Sequence, residues 1–440
     1  MGAIAIFLRR ALMFLPFTAA LWFANSLPTL TLSQTSRTLL YLAAAFVLPV
    51  TMDLIGGVVP NGINAASDIE RPLAEYAWAP RLLAAKFVFI QALMLYCVWR
   101  RHAVGIDLAV LALLVGLYYG TMGIAVAHEL MHRPSRFDRW LGDFLLITVT
   151  YPHFSIEHPF GHHINVATPV DPASARLGES LYAFLPRSIL GSLRSAWAIE
   201  VKRLKARGRG WLSLQNRMLG YLVLVCAYYA GAYLICGAPG MIAVAIQSAV
   251  AIFSLETVNY MQHYGLQRKE IAPGRYERPD VMHAWNWETR FSGYYFLNLG
   301  RHSEHHRNAS RRYDTLRVLD GQPMLPGGLI PMYLTAMIPP LWFRIMNPKV
   351  EAIRAGRTLA APAPGAQTAQ DRRRVQVRGL FDRWGGYLIG LLVIAMIYTS
   401  GRLGFQGAVL LVLGVAIATV LFRETFVRLP IAAGPLTPSR

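Results

Sequence analysis

At 440 residues, 54% apolar and 15% charged, with a mean hydropathy of +0.36, the chain carries too much apolar surface for an ordinary soluble domain and reads as a membrane protein. Lysine and arginine number 43 against 24 aspartates and glutamates, a formal charge of +19. On a membrane protein that excess first marks cytoplasmic loops and attraction to lipid headgroups, and with no recognition motif beside it nucleic-acid binding is excluded. The three cysteines, Cys97, Cys226 and Cys236, are scattered through apolar segments, which excludes a disulfide framework, a zinc ribbon or an iron–sulfur motif.

A helix needs about 20 apolar residues to cross about 30 Å of hydrocarbon. Runs of that kind predict spans near 11–30, 38–59, 82–99, 106–127, 217–235 and 241–260, and two more near 387–400 and 405–422. Arg9 and Arg10 precede the first run, but no small-residue cleavage site follows and further spans do, so it reads as a span rather than a secretory signal. Basic residues concentrate between His128 and Asn216 and again after Gly265, while the opposite connectors carry only Arg37, Arg100, Arg101 and Arg402. The positive-inside rule then puts both long segments in the cytoplasm. The expected fold is an all-α integral membrane protein with a six-helix transmembrane catalytic core and a cytoplasmic histidine-bearing region, over residues 1–350. A basic Ala/Pro-rich linker (351–383), a two-helix transmembrane hairpin (384–425, turned at Gly401-Arg-Leu-Gly404) and a tail (426–440) follow.

Nine of the twelve histidines fall into four clusters. These are His128-Glu-Leu-Met-His132, Glu157-His158-Pro-Phe-Gly-His162-His163, Asn259-Tyr-Met-Gln-His263 and Arg301-His302-Ser-Glu-His305-His306. Offsets of three and four place side chains on one helical face, and imidazole is the commonest metal ligand at neutral pH. One ion takes about four to six ligands, so nine imidazoles ask for two metals. The spacing pairs His128 with His132 and His158 with His162, with His163 turned about 100° away towards a second ion. His302, His305 and His306 repeat the three-ligand shape, and His263 adds a ninth. Glu129, Glu157, Asn259, Glu304 and Asp171 stand beside these histidines and are candidates to orient a ligand ring. Asp53 and Glu256, ionisable groups inside apolar spans, are candidates for the same role. His153 and His283 are expected outside the ligand set.

His128-Glu129-Leu-Met-His132 also fits H-E-x-x-H, in which two histidines hold zinc and the glutamate is the general base of a metalloprotease, but that reading leaves most of the nine histidines unused. A soluble-type di-iron site needs a second E-x-x-H, and a metal transporter would place its histidines mid-membrane.

Together with the flanks Asn165-Val-Ala-Thr-Pro-Val-Asp-Pro-Ala-Ser-Ala-Arg176, Gly274-Arg-Tyr-Glu-Arg278 and Ile338-Pro-Pro-Leu-Trp342, the four clusters resemble those of the membrane alkane monooxygenases. These are the alkane hydroxylase branch of the membrane fatty-acid desaturase superfamily, and the resemblance covers roughly residues 40–350. It implies six spans and a non-haem di-iron centre held by His128, His132, His158, His162, His163, His263, His302, His305 and His306. It further implies O2-dependent hydroxylation of a terminal methyl group on an apolar substrate taken from membrane lipid. Electrons would come from NAD(P)H through a reductase and a rubredoxin or ferredoxin-type donor, at a bacterial inner membrane with the histidines on the cytoplasmic side. Gln262 stands where alkane hydroxylases usually have Glu, and is more similar to the xylene monooxygenases, which oxidise methyl groups on aromatic rings. Glu157-His-Pro-Phe-Gly-His-His163 is of the alkane type. The substrate therefore stays open between an alkane and a methyl-aromatic, with a lipid-chain desaturase as the third reading. The C-terminal hairpin is absent from the simplest family members.

Overall fold

In hydrocarbon every backbone N–H and C=O must be satisfied within its own segment, so long apolar runs become helices. The computed structural model describes residues 73–357, apart from 102, 290–292, 294–295 and 320. In chain order the helices are α1 (Leu73–Trp99), α2 (Ile106–Tyr118) and α3 (Ile124–Met131), the last two joined without a break by a π-turn at Tyr119–Gly123. Next come α4 (Arg136–Thr148), a short helical stretch at 154–165, and α5 (Leu181–Lys205). Then α6 (Arg217–Cys236) and α7 (Ala238–His263) form an antiparallel pair about Gly237, followed by α8 (His302–Arg307), α9 (Leu329–Ala336) and α10 (Pro339–Arg354). A two-stranded hairpin, β1 (Glu270–Ala272) with β2 (Arg275–Tyr276), is the single sheet among the described residues.

Among the described residues four helices are long and apolar enough to cross a membrane: Trp78–Trp99, Ile106–Met131, Arg217–Cys236 and Ala238–His263. They coincide with the four spans the sequence predicts in this region. The runs expected near 11–30, 38–59, 387–400 and 405–422, the tail, Asp53 and the linker beyond residue 357 lie outside the described residues. Residues 351–354, expected as linker, are instead the last turn of α10, whose helix runs on past Pro348. The sequence reading passed over α9 and α10, which make up to a fifth span if counted together although they meet at a bend of 118°. Pro339 and Pro340 stand at that bend and cut the apolar run short, so neither half reaches spanning length.

The α2–α7 interface is built on small residues. A Cβ at Gly116 would lie 2.6 Å from the Gln247 carbonyl, and one at Gly120 would lie 2.6 Å from the Ala251 carbonyl and 2.5 Å from Ser254 Cβ. These glycines, one turn apart, let the two backbones approach as small-xxx-small pairs do in bilayers. By contrast α6 buries only Met218 and Ala232 and exposes Leu222, Val223, Leu224 and Leu234, an apolar face suited to lipid. Amphipathic α5, unforeseen in the sequence reading, buries Leu181, Phe184, Ser188, Ser192, Ala196, Glu200 and Leu204 along one stripe. At its end Glu200 bonds to Arg203 (2.6 Å) and to Arg217 (2.8 Å), tying α5 to the first turn of α6. Burial alone would raise the Glu200 pKa, but the two guanidiniums outweigh it and bring it down to about 2.

Gly120→Val should therefore cost about 1–3 kcal/mol by overpacking and lower the thermal midpoint of the detergent-solubilised protein. Gly220→Ala, on α6 with nothing within 4 Å of its added Cβ, should not lower the midpoint and should raise it slightly, because Ala is the better helix former.

Candidate metal centre

All nine histidines of the four clusters converge, in two groups. One ring nitrogen from each of His128, His132, His158, His163 and His305 lies within 4.8 Å of every other, and the same holds for His162, His263, His302 and His306. The elements deliver them by helical arithmetic. His128 and His132 stand one turn apart at the end of α3, His263 closes α7, and His302, His305 and His306 lie on α8. Sequence neighbours are shared between the groups: His162 and His306 face one centre, His163 and His305 the other.

The pairing expected for His158 is corrected. Its ring stacks on His162 with centroids 5.2 Å apart, yet its Nε2 meets the Nε2 of His163 at 3.0 Å, and the i,i+4 partner belongs to the other group. The cause is a π-turn over His158–His162, where the His163 N–H bonds to the His158 carbonyl. That i→i+5 turn is wider than an α-turn and swings residue 163 back over residue 158. Gly161 sits inside it because a Cβ there would lie 2.5 Å from the Glu157 carboxyl.

The donor set fits metal ions. Nε2–Nε2 separations are 3.1 Å for His305–His163, 3.1 Å for His302–His263 and 2.9 Å for His306–His302. Two nitrogens each about 2.1 Å from one ion, at a right angle, lie about 3.0 Å apart. The buried Nε2 atoms of His128, His132 and His162 have no hydrogen-bond partner, an arrangement that is costly unless an ion takes their lone pairs. Burial, reinforced by neighbouring imidazoles, holds His158, His163, His302, His305 and His306 well below the usual histidine pKa, and takes His132 down to about 4. Neutral rings with a free lone pair are the ligand form.

His162 is the exception. Burial lowers its pKa, but the Asp171 carboxylate, 2.9 Å from Nδ1, reverses the shift and raises it. Asp171 also accepts from the Ser174 hydroxyl (2.6 Å) and the Ala173 N–H (3.2 Å). This carboxylate fixes the His162 ring with Nε2 turned to the centre, the arrangement common behind metal-ligating histidines.

The other acidic candidates find different partners. Glu129 accepts from Arg133 at 3.2 Å. Glu304 is engaged by the Arg317 and Arg311 guanidiniums and by the Arg317 N–H, so it braces α8 against the 311–317 segment rather than a histidine. Glu256 accepts from Tyr151 (2.8 Å) and Ser188 (2.6 Å), with Asn259 also bonded to it. Glu157 is buried beside Asp171 and Glu256; burial first, then these carboxylates, push its pKa to about 8, so it is largely uncharged at neutral pH. His153 packs on Tyr151 with ring centroids 4.2 Å apart, and His283 contacts Glu277 at 3.2 Å; neither joins a group.

Sequence reasoning missed Asn286. Its Oδ1 accepts the Ser303 N–H (2.9 Å), capping α8, whose own N-cap residue offers no side-chain bond. Its Nδ2 donates to the Ser303 hydroxyl (2.7 Å) and to the Pro323 carbonyl (3.0 Å). No local pattern signals a cap supplied from 17 residues upstream.

A narrow, partly open pocket touches both groups, with His128, His158 and His302 among its lining residues. One wall is Gly120, Thr121, Ile124 and Ala125 at the π-turn between α2 and α3. A second is the α7 face of Leu255, Val258, Asn259 and Gln262, and a third is Trp287, Phe296 and Leu299. It is a mostly apolar slot between membrane-crossing helices with imidazoles along it.

Apolar spans, histidine-bearing helix ends and a lipid-like slot define a histidine-rich membrane metalloprotein, and residues 107–336 match the fatty acid desaturase family model. The chain is 35% identical over 316 residues to alkane 1-monooxygenase 2 of Alcanivorax borkumensis, covering 70% of this chain and 81% of that protein. It is 41% identical over 242 residues to alkane 1-monooxygenase 2 of Pseudomonas aeruginosa, covering 55% and 64%. Against a xylene/toluene monooxygenase hydroxylase component of Pseudomonas putida it is 30% identical over 234 residues, covering 52% and 61%. The chain belongs to the alkane 1-monooxygenase branch of the fatty acid desaturase family and is an integral membrane protein. The matched region spans just under two thirds of the Pseudomonas aeruginosa relative.

Asp171→Asn should lower metal affinity about 10- to 100-fold, read as metal per protein after dialysis against a weak chelator. Asn286→Ala, which removes the α8 cap, should lower occupancy of both groups, since His305 serves one and His302 and His306 the other. In the metal-free protein the depressed histidines take up protons on unfolding, so its thermal midpoint should fall as pH drops below the unfolded histidine value of about 6.5. Glu157 acts with the opposite sign, since its raised pKa erodes stability as pH rises from the unfolded glutamate value towards about 8.

Proposed function

We propose that the protein is a non-haem di-iron monooxygenase that hydroxylates the terminal methyl group of an alkane or similar apolar substrate. The observation that carries this reading is the convergence of nine imidazoles into a five-membered and a four-membered group beside an apolar cleft. An unactivated methyl group offers no acid and no electrophile, so it calls for O2 activation by a redox metal rather than acid–base chemistry. Two irons held by His128, His132, His158, His163 and His305, and by His162, His263, His302 and His306, would supply that activation. The balance is RCH3 + O2 + 2 e⁻ + 2 H⁺ → RCH2OH + H2O.

The chain's own groups do the rest. The α7 face and the Trp287, Phe296 and Leu299 wall exclude water from the chain of the substrate and point one end of it at the histidines. Asp171 holds the His162 ring, and Asn286 seats α8. The three cysteines Cys97, Cys226 and Cys236 are free and far apart in sequence, so the two electrons arrive from a separate rubredoxin or ferredoxin-type protein and its NAD(P)H-dependent reductase. The loop arginines favour an acidic donor at the cytoplasmic face of a bacterial inner membrane. A six-helix core over residues 1–350, followed by the linker, the transmembrane hairpin and the tail, completes the proposed architecture. A specific feature supports a second reading: Gln262, as in xylene-type enzymes, lines the cleft, so a methyl-aromatic is the competing substrate.

The test is product analysis in a bacterial host supplied with a rubredoxin and its reductase and fed n-octane and p-xylene together. A primary alkanol is expected; preferential methylbenzyl alcohol would favour the second reading, and a purified protein holding one zinc and no iron would overturn both. His162→Ala and His305→Ala should each abolish product and lower the iron content, because each strips a ligand from a different group.

A further inference from the structure

We infer that Gln262 is a specificity-determining residue: its side-chain amide fastens the third wall of the cleft to α7 and so sets which carbon of the substrate faces the histidines. The inference rests on the hydroxylase reading above and deepens it.

Gln262 is 1% exposed and is the last rung of the α7 face that lines the cleft, next to the ligand His263. Its side-chain Nε2 donates to the Leu299 carbonyl at 3.3 Å, and its main-chain carbonyl accepts the Trp285 main-chain N–H at 2.7 Å. One residue thus joins α7 to both ends of the segment that carries Trp287, Phe296 and Leu299. That segment needs holding. Leu297 and Asn298, between the two wall residues Phe296 and Leu299, have φ of 52° and 56°. Non-glycine residues in this left-handed region are strained and persist only where their surroundings fix them. The fixing bonds are the Asn298 N–H to the Gly293 carbonyl (2.6 Å), the Asn298 amide to the Tyr313 carbonyl (3.0 Å) and the Gln262 tether. The first holds the turn to its own loop and the second to the 313–315 segment beyond α8; the third anchors it to the membrane-crossing helix that forms the opposite wall.

The tether demands a side-chain donor of this reach, because only a donor can meet a main-chain carbonyl. Methionine has the length and volume of Gln but no donor; asparagine has the donor but is a methylene short. Each breaks the bond by a different route.

The experiment uses the full chain in lipid nanodiscs, comparing the parent with Gln262→Met and Gln262→Asn. Metal per protein should stay at the parent value, which also certifies folding. Hydrogen exchange of the amides between 296 and 301 should rise about three- to tenfold, as expected for the loss of one hydrogen bond. With the donor proteins supplied, the ratio of terminal to internal alcohol from n-octane should shift by a similar factor. Unchanged exchange in a metal-loaded variant would overturn the tether, and faster exchange with an unchanged product ratio would overturn the specificity role. A parent that oxidises neither n-octane nor p-xylene would remove the hydroxylase reading and the specificity role with it, and the exchange data would still decide the tether.

Discussion

Nine imidazoles turned towards one another, seven of them buried and two half-buried, are the constraint on which the rest of this structure depends. Each neutral ring carries one proton and one lone pair, so a ring of mutually facing nitrogens cannot satisfy itself by hydrogen bonding. Burial keeps the rings uncharged, mutual repulsion reinforces this, and several buried nitrogens remain without a partner. Such an assembly is unfavourable as a protein interior and favourable as a ligand cage, so the surrounding fold must hold it together until an ion arrives. The π-turn at His158–His162, the cap from Asn286 and the Asp171–His162 bond are the devices that do so.

Helix packing in the membrane and the chemistry at the helix ends are coupled through α7. Its middle, at Gln247, Val250, Ala251 and Ser254, meets Gly116 and Gly120 of the Ile106–Met131 span at backbone contact. Its later turns line the cleft with Leu255, Val258, Asn259 and Gln262, and its last residue is His263. A single helix thus sets the approach of the spans, the shape of the slot and the position of a ligand. An error at the glycine contact is passed by a rigid rod to the histidine at its end. The buried Glu256, satisfied by Tyr151 and Ser188, ties that rod to α5 and to the segment leading into the second histidine cluster.

Much of this was legible in the chain. Apolar run length marked the four describable spans, since hydrocarbon leaves the backbone no alternative to the helix. The histidine count and spacing marked two centres, because no single ion accepts nine imidazoles. Legibility failed where backbone geometry departs from 3.6 residues per turn. The i,i+4 rule allied His158 with His162, whereas the wider turn gives it to His163. It failed again where proline divides an apolar run, as at Pro339, and where amphipathic α5 lies among polar segments.

The sequence by itself determined the kinds of group present and their number: spanning helices, nine histidines in four clusters, and a family resemblance carried by the motifs around them. Only the tertiary structure decided which histidine serves which centre. It also decided that Glu304 braces arginines while Asp171 orients a ligand, and that Asn286 caps a helix 17 residues further on. The physical reason is one of range. Composition and periodicity are properties of a single segment, whereas ligand sets, carboxylate partners and remote caps are distances between segments, and those distances exist only once α3, α7 and α8 have been packed together.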